Sequence, residues 1–146
     1  MLKSKTGLSF LWLSAVAFAL DLLTKYLVVK NFELYESINI LPIFNLTYVR
    51  NTGAAFSFLA GQGGWQKYFF IVLALAISAM LVYFLYKNTV QQKLQNSAYA
   101  LVIGGALANM MDRTYHGFVV DFFDFYWGDW HYPVFNIADI AICVGA

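Results

Sequence analysis

Long apolar runs, separated by short polar segments, dominate the chain. Three of them are long enough to cross a bilayer, because about 20 helical residues span its hydrocarbon core. They cover residues 7–29, 68–86 and 94–111. The second is nineteen residues long and the third eighteen, and neither contains a charge. The pattern therefore predicts three transmembrane helices.

A fourth apolar run begins near Pro133 and continues to Ala146. Proline is favoured in the first turn of a helix, so we expect a helix to start there. The fourteen residues 133–146 would rise only about 21 Å as a helix, less than the roughly 30 Å hydrocarbon core. We therefore expect a fourth transmembrane helix that is truncated at its C-terminal end.

The segment between the first two runs has a different period. Phe44, Leu46 and Tyr48 alternate with other residues, which is typical of a strand. The segment predicts a small sheet over about 32–60, made of a strand within 38–49, a turn at Asn51-Thr52-Gly53 and a second strand over 54–58. The aromatic residues near 65–68 and 126–132 are interpreted as an interfacial belt.

The positive charges predict the orientation of these helices. Residues 1–7 and 87–93 hold four lysines and no acids, whereas 30–67 and 112–132 hold four Lys or Arg beside six acids. The positive-inside rule then places both termini and the 87–93 loop in the cytoplasm and the two longer loops outside. The first run could instead be a cleaved signal peptide, but its apolar character continues to Val29, which favours a retained helix.

Composition supports a membrane protein formed by one domain over residues 1–146. The chain is 61% hydrophobic and 12% charged, against about 25% charged in soluble domains. A net charge of +1 argues against a nucleic-acid partner. The single cysteine, Cys143, excludes an internal disulfide, and its apolar surroundings favour a packing role. Neither CxxC nor HExxH occurs, so we expect no metal site and no cofactor.

Two aspartates, Asp121 and Asp139, lie at the edge of the last two hydrophobic segments, on the predicted outer side. A carboxylate at membrane depth costs at least a few kcal/mol and marks a functional site or a paired structural charge. If the two meet, repulsion raises the pKa of one, and the pair shares a proton. Such a pair could hydrolyse a bond without a metal, as in aspartic proteases. Spacing alone leaves structural charges and an ion path open.

Other polar residues recur at helical spacing. Asp21 and Lys25 are four apart in the order that favours an ion pair, and we interpret them as a structural pair rather than a proton path. Asn109, Asp112 and Arg113 share one helix face, where Arg113 could orient a carboxylate.

Asn136 lies one turn before Asp139 and could hydrogen-bond it. Asp139 has no cation in its own segment, so we expect its partner to be Arg113 or Asp121.

Five blocks together resemble the bacterial lipoprotein signal peptidases, in the family's order and at compatible spacing. They are Asp21-Leu22-Leu23-Thr24-Lys25, Asn51-Thr52-Gly53-Ala54-Ala55-Phe56-Ser57, the run Gly104-Gly105-Ala106-Leu107-Ala108-Asn109-Met110-Met111-Asp112-Arg113, Val119-Val120-Asp121-Phe122 and Phe135-Asn136-Ile137-Ala138-Asp139.

The resemblance implies a four-helix aspartic peptidase of the bacterial inner membrane, with a small periplasmic β-cradle between helices 1 and 2. Its substrates would be prolipoproteins with a diacylglyceryl-cysteine, cut just before that cysteine. By motif, Asp121 and Asp139 would be catalytic. The positions expected to bind substrate or a globomycin-type inhibitor are Asp21, Lys25, Asn51, Gly53, Asn109, Arg113 and Asn136.

Two other classes of protein fit the composition. A small channel or transporter subunit would use Asp21, Lys25 and Asp139 as an ion path and show no protease activity. A membrane scaffold would use its polar residues only to fasten helices, so that Asp121→Asn would destabilise it without a separate loss of activity.

Overall fold

Four α-helices form the body of the part of the chain that the structure describes, residues 6–52 and 65–146 of a computed structural model. A short 3-10 helix, Gly7–Phe10, leads into α1, Leu11–Asn31. The other helices are α2, Trp65–Lys87, α3, Lys93–His116, and α4, Ile137–Gly145.

Two of the described helical segments are long and apolar enough to cross a membrane. They are Gly7–Asn31, with a mean hydropathy of 1.7, and Trp65–Lys87, with 2.5. Large apolar side chains, among them Trp12, Leu23 and Val72, are more than half exposed on these helices, as expected for surfaces that face lipid. The helix predicted at 94–111 is present as part of α3. Its polar residues lower its mean hydropathy, so it is not one of the two candidate membrane spans.

The fourth helix begins later than predicted, at Ile137 rather than near Pro133. Asn136 is its N-cap, because the Asn136 side chain accepts a hydrogen bond from the backbone N–H of Asp139 at 2.8 Å. An N-cap side chain accepts a hydrogen bond from an N–H that has no partner within the helix, and a proline side chain cannot accept one. The N-cap at Asn136, rather than the proline at 133, therefore determines where α4 begins.

α3 lies at the centre of the helices, and small residues let its neighbours approach closely. A Cβ at Gly104 would lie 2.6 Å from the backbone oxygen of Ser14 in α1, and a Cβ at Gly105 would lie 2.5 Å from that of Ala138 in α4. The hydroxyl of Ser14 also donates to the carbonyl of Ala100 at 2.6 Å. The two glycines therefore allow α1 and α4 to pack closely against α3.

A four-stranded antiparallel sheet, ordered β1-β2-β3-β4, sits at one end of the helices. Its strands are β1, Ser37–Leu41, β2, Phe44–Asn51, β3, Val119–Trp127, and β4, Trp130–His131. The single strand predicted within 38–49 is therefore a hairpin, because the chain turns at Pro42-Ile43. The strand predicted over 54–58, together with Gly53, lies outside the described residues.

The sequence predicted a sheet confined to the segment between α1 and α2. This prediction is wrong, because β3 and β4 come from the segment between α3 and α4. The first four residues of β3 are all buried, so this strand lacks the alternation that identifies a half-exposed strand. Val120 and Phe122 of β3 pack with Tyr48 of β2 and Val28 of α1. This core fixes the sheet to the end of α1.

We expect Gly105→Ala to destabilise the protein by about 1–3 kcal/mol, because the new methyl group would meet the backbone of α4. Alanine stabilises a helix relative to glycine by up to about 1 kcal/mol. A loss of stability in this variant would therefore come from the steric conflict and not from helix propensity. Thermal melting in detergent measures the change. Ala76→Val, on the exposed face of α2, is the control and should leave the melting temperature unchanged. An equally unchanged Gly105→Ala would contradict the packing of α3 against α4.

Candidate active site

Asp121 lies in β3, directly opposite Val49 of β2. Gly117 ends α3 with a φ of 81°, a left-handed conformation that suits glycine, and the chain then turns into the strand. The Asp121 side chain is only 1% exposed. The sequence placed this aspartate at the edge of an apolar segment; the structure places it in a strand against the helix ends.

Asp139 lies in the first turn of α4, where it completes a capping box. Its Oδ2 accepts a hydrogen bond from the backbone N–H of Asn136 at 3.2 Å, while its own N–H donates to the side chain of Asn136. The hydrogen bonding predicted between Asn136 and Asp139 is therefore confirmed. The helix N-terminus also favours a negative charge at this position.

Asn136 connects the two aspartates directly. Its Nδ2 donates to Oδ1 of Asp121 at 2.8 Å, and its Oδ1 accepts from the N–H of Asp139. The same amide group donates to the carbonyl of Val120 at 3.2 Å. One fully buried side chain thus holds β3 against the start of α4. The structure brings Asp121 and Asp139 together around it.

Asn109 of α3 provides a second link. Its Nδ2 donates to Oδ1 of Asp139 at 3.1 Å, and its Oδ1 accepts from Asn136 at 3.1 Å and from the ammonium of Lys25 at 2.9 Å. The orientation of the amide follows from these partners, since a cation can only donate to its oxygen. Asn109 therefore joins α1, α3 and α4 at one point.

The predicted ion pair of α1 is confirmed. Lys25 Nζ lies 2.6 Å from Oδ2 of Asp21 and 3.2 Å from Oδ2 of Asp112. The exposed fractions of Asp21 and Lys25 are 0% and 3%. The sequence analysis placed Asp112 on the same helix face as Asn109 but assigned it no role. Its position three residues after Asn109 was the feature that could have indicated a buried partner for Lys25.

Arg113 and Asn51 lie beside the aspartates. Arg113 is 6% exposed, and its charge interacts with those of Asp121 and Asp139. Its guanidinium also lies 4.9 Å from the centre of the Phe70 ring in α2. Asn51 ends β2 opposite Val119 and hydrogen-bonds the Asp121 carboxyl. The predicted site residues within the described ranges are therefore gathered in one region.

An apolar cleft of about 200 Å³ opens between α2, α3 and α4 and ends at Asn109 and Arg113. Phe70, Ala106 and Ile142 are among the residues of its walls. The cleft offers an apolar chain a route to the polar cluster. Within the described part of the chain, no group of three or more His, Cys, Asp or Glu side chains is placed to hold a metal ion.

Comparison with known proteins identifies the family. The profile of the family described as signal peptidase (SPase) II matches residues 13–146. The chain belongs to the signal peptidase II family. The resemblance drawn from the five sequence blocks is confirmed, and the chain is a member of a family of proteases.

Its relatives match along nearly the whole chain. A lipoprotein signal peptidase of Actinobacillus succinogenes is 82% identical over 144 residues, covering 99% of this chain and 88% of the relative. One of Pasteurella multocida is 80% identical over 146 residues, covering 100% and 88%.

Two solved structures share the fold, each described as a bacterial membrane enzyme determined by the in meso method. The one at 2.3 Å resolution has a TM-score of 0.83 at 32% identity and covers 94% of this chain and 82% of its own. The one at 1.9 Å has a TM-score of 0.79 at 32% identity and covers 94% and 86%. The signal peptidase II assignment thus rests on sequence, and the fold of the chain is that of bacterial membrane enzymes.

Burial raises the pKa of the Asp121 carboxyl well above its ordinary value, and the charge of Asp139 raises it further. Hydrogen bonds from Asn51 and Asn136 and the charge of Lys25 oppose this rise. Its Oδ2 is buried and accepts no hydrogen bond from any described residue. Asp121 therefore holds a proton above the pH at which an exposed aspartate loses it.

We expect Asp121→Asn to melt at a higher temperature than the parent at pH 7. In the folded parent Asp121 keeps its proton after the unfolded chain has lost it, so stability falls as pH rises above about 4. The loss is about 1.4 kcal/mol for each unit by which the pKa is raised. Asparagine does not ionise, so it avoids this loss and still accepts the bond from Asn136.

Thermal melts of parent and variant at pH 4 and pH 7 measure the difference, which should close at pH 4. Asp129→Asn, an exposed substitution in the turn between β3 and β4, is the control and should follow the parent at both values. A lower melting temperature for Asp121→Asn at pH 7 would show that the carboxylate stabilises the fold, as a scaffold requires.

Proposed function

We propose that the chain is an aspartic endopeptidase that removes the signal peptide from diacylglyceryl-modified prolipoproteins, cutting just before the lipidated cysteine. The observation that carries the proposal is the pair of buried carboxyls, Asp121 and Asp139, bonded to one asparagine at the polar end of an apolar cleft. Family membership supports prolipoproteins as substrates.

The surroundings of the two carboxyls support different roles. Asp139 receives hydrogen bonds from Asn109 and from the backbone of Asn136 and lies at a helix N-terminus, which favours its charged form. Asp121 is fully buried, and its Oδ2 accepts no bond from the described residues. We assign Asp139 as the general base and Asp121, protonated on Oδ2, as the general acid.

The reaction then needs only water and the pair. Asp139 takes a proton from water as the water oxygen bonds the scissile carbonyl carbon, and Asp121 donates its proton to the carbonyl oxygen. The neutral tetrahedral intermediate collapses when Asp139 returns its proton to the amide nitrogen and the C–N bond breaks. Asp121 recovers a proton from a hydroxyl of the intermediate, which restores the starting state of the pair.

The cleft supports the proposed binding of substrate. Its apolar walls suit the hydrophobic part of a signal peptide, and Arg113 and Asn109 lie where the peptide would reach the aspartates. Asn51 would contact the bound chain from the sheet side. Gly53 is proposed to bind the substrate as well, and a globomycin-type peptide inhibitor would occupy the same space. Asp21, Lys25 and Asn136 are buried and would act through their neighbours.

The membrane arrangement belongs to the same proposal. Four transmembrane helices would place the sheet and the aspartates toward the periplasmic face of the inner membrane, with the N-terminus cytoplasmic. The two lysines of the 87–93 loop and the single Lys or Arg of the longer 112–132 segment support this orientation. A signal peptide that crosses the membrane would then be cut near its outer end.

We expect Asp121→Asn and Asp139→Asn each to lower the rate of signal-peptide release by about 10²–10⁴-fold, the usual contribution of general acid–base catalysis. A diacylglyceryl-modified prolipoprotein in detergent, followed on a gel, provides the assay. Asp124→Asn is the matched control, because Asp124 is a buried carboxylate of the same strand that bonds His131 and Thr47 instead. It should keep most of the activity.

Two results of this assay would contradict the proposal. One is cleavage by a folded Asp121→Asn or Asp139→Asn variant. The other is strong inhibition of the parent by a chelator, since an aspartic pair needs no metal. An ion path would instead give transport without cleavage.

We expect Ala106→Phe, which narrows the cleft, to raise KM about tenfold, equivalent to roughly 1.4 kcal/mol of binding. The kcat should change little, because Ala106 lies on the wall and away from the aspartates. Leu101→Phe adds bulk to the same helix on the side that faces α1 and should leave KM unchanged. Equal effects of both variants would show that the cleft is not the route of the substrate.

A further inference from the structure

Three buried charges lie between α1 and α3, beside the catalytic pair. Lys25 contacts both Asp21, at 2.6 Å, and Asp112, at 3.2 Å. The exposed fractions of the three residues are 3%, 0% and 6%. A substrate in the cleft between α2, α3 and α4 would not reach them, so their effect on the reaction must pass through other groups.

Each of the two carboxylates holds one backbone N–H. Asp112 Oδ2 accepts from the N–H of Val120 at 3.1 Å, and Asp21 Oδ1 accepts from the N–H of Ala138 at 2.8 Å. Val120 directly precedes Asp121, and Ala138 directly precedes Asp139. The two carboxylates therefore fix the backbone at equivalent points of the two catalytic segments, although one segment is a strand and the other a helix.

Lys25 joins these two anchors. Its ammonium has three N–H donors, and the structure gives it three acceptors: Asp21, Asp112 and Oδ1 of Asn109. The third acceptor is the amide whose Nδ2 bonds Asp139. A single cation thus sets the positions of both backbone anchors and of one side-chain partner of the catalytic pair.

Resting on the function proposed above, we propose that Asp21, Lys25 and Asp112 are positioning residues that set the separation of the Asp121 and Asp139 carboxyls and make no contact with substrate. This gives Asp112 a role that the sequence did not suggest. It also replaces the expected substrate contacts of Asp21 and Lys25 with an indirect action through Val120, Ala138 and Asn109.

A graded series at Asp112 tests the proposal. Asp112→Asn keeps an oxygen that can accept the N–H of Val120 but loses the charge, whereas Asp112→Ala loses both. We expect kcat to fall about threefold to tenfold for the asparagine and at least a hundredfold for the alanine, with KM for the diacylglyceryl-modified prolipoprotein unchanged. The asparagine variant thereby serves as the conservative rescue of the alanine variant.

The pH dependence of kcat/KM separates a positioning role from a purely structural one, because loss of a purely structural contact would leave the pH profile unchanged. A different separation of the catalytic carboxyls alters the repulsion between them, so the two limbs of the profile should move relative to each other in both Asp112 variants. Asp124→Asn, which removes a buried carboxylate from the same strand, should keep the profile of the parent.

A neutral triple variant covers the case in which a single substitution prevents folding. Asp21→Asn, Lys25→Met and Asp112→Asn together leave no charge of the cluster unpaired, so we expect the protein to fold and melt as a single transition. Its kcat should be at least tenfold lower than that of the parent at unchanged KM. A folded triple variant with the kcat and pH profile of the parent would overturn the proposal.

The outcomes separate this proposal from the function on which it rests. If the parent cleaves and Asp121→Asn does not, the function stands, and a folded Asp112→Ala with normal kcat and profile overturns only the positioning role. A raised KM at normal kcat would instead make the cluster a substrate contact. If the parent is inert, the proposed function itself fails.

Discussion

The cost of burying carboxylates within an apolar fold determines how this structure is built. Asp21, Asp112, Asp121 and Asp139 are all at most 6% exposed, and an isolated carboxylate in such a place would be neutralised or expelled. Lys25 and backbone N–H groups hold Asp21 and Asp112, whereas the amide of Asn136 and the start of α4 hold Asp121 and Asp139. Satisfying them draws α1, α3, β3 and α4 to one point. The contacts that pack these elements together are therefore the same contacts that assemble the site.

Asymmetry between the two central carboxyls follows from the elements that carry them. A helix start offers unpaired N–H groups and a favourable dipole, and Asp139 benefits from both. The backbone of a strand uses its N–H groups in the ladder, so Asp121 depends on side chains for stabilisation. Desolvation then dominates at Asp121 and raises its pKa. Two residues of the same type thus have different hydrogen-bonding surroundings because one lies in a strand and the other at a helix start.

The sequence predicted the features that depend on local pattern. Uncharged runs identified α2 and α3, and the spacing of Asp21 and Lys25 identified their ion pair. It predicted less well where distant segments decide. The strand character of β3 is set by pairing with β2, about seventy residues earlier in the chain, and its continuous burial resembles that of a helix end. The bond from Asp112 to Val120 requires knowledge of how the chain turns after Gly117. Asn136 was recognised beside Asp139, but its bond to Asp121 appears only in the fold.

Infrared difference spectroscopy of the carboxyl groups tests the central claim, that the two aspartates share one proton at neutral pH. The parent should show the C=O stretch of a protonated carboxyl at pH 7 that is absent in Asp121→Asn and present in Asp124→Asn. In Asp139→Asn the band should disappear at a lower pH, because the charge that helps to keep Asp121 protonated is gone. A parent spectrum at pH 7 identical to that of Asp121→Asn would show that Asp121 is ionised and would contradict the account.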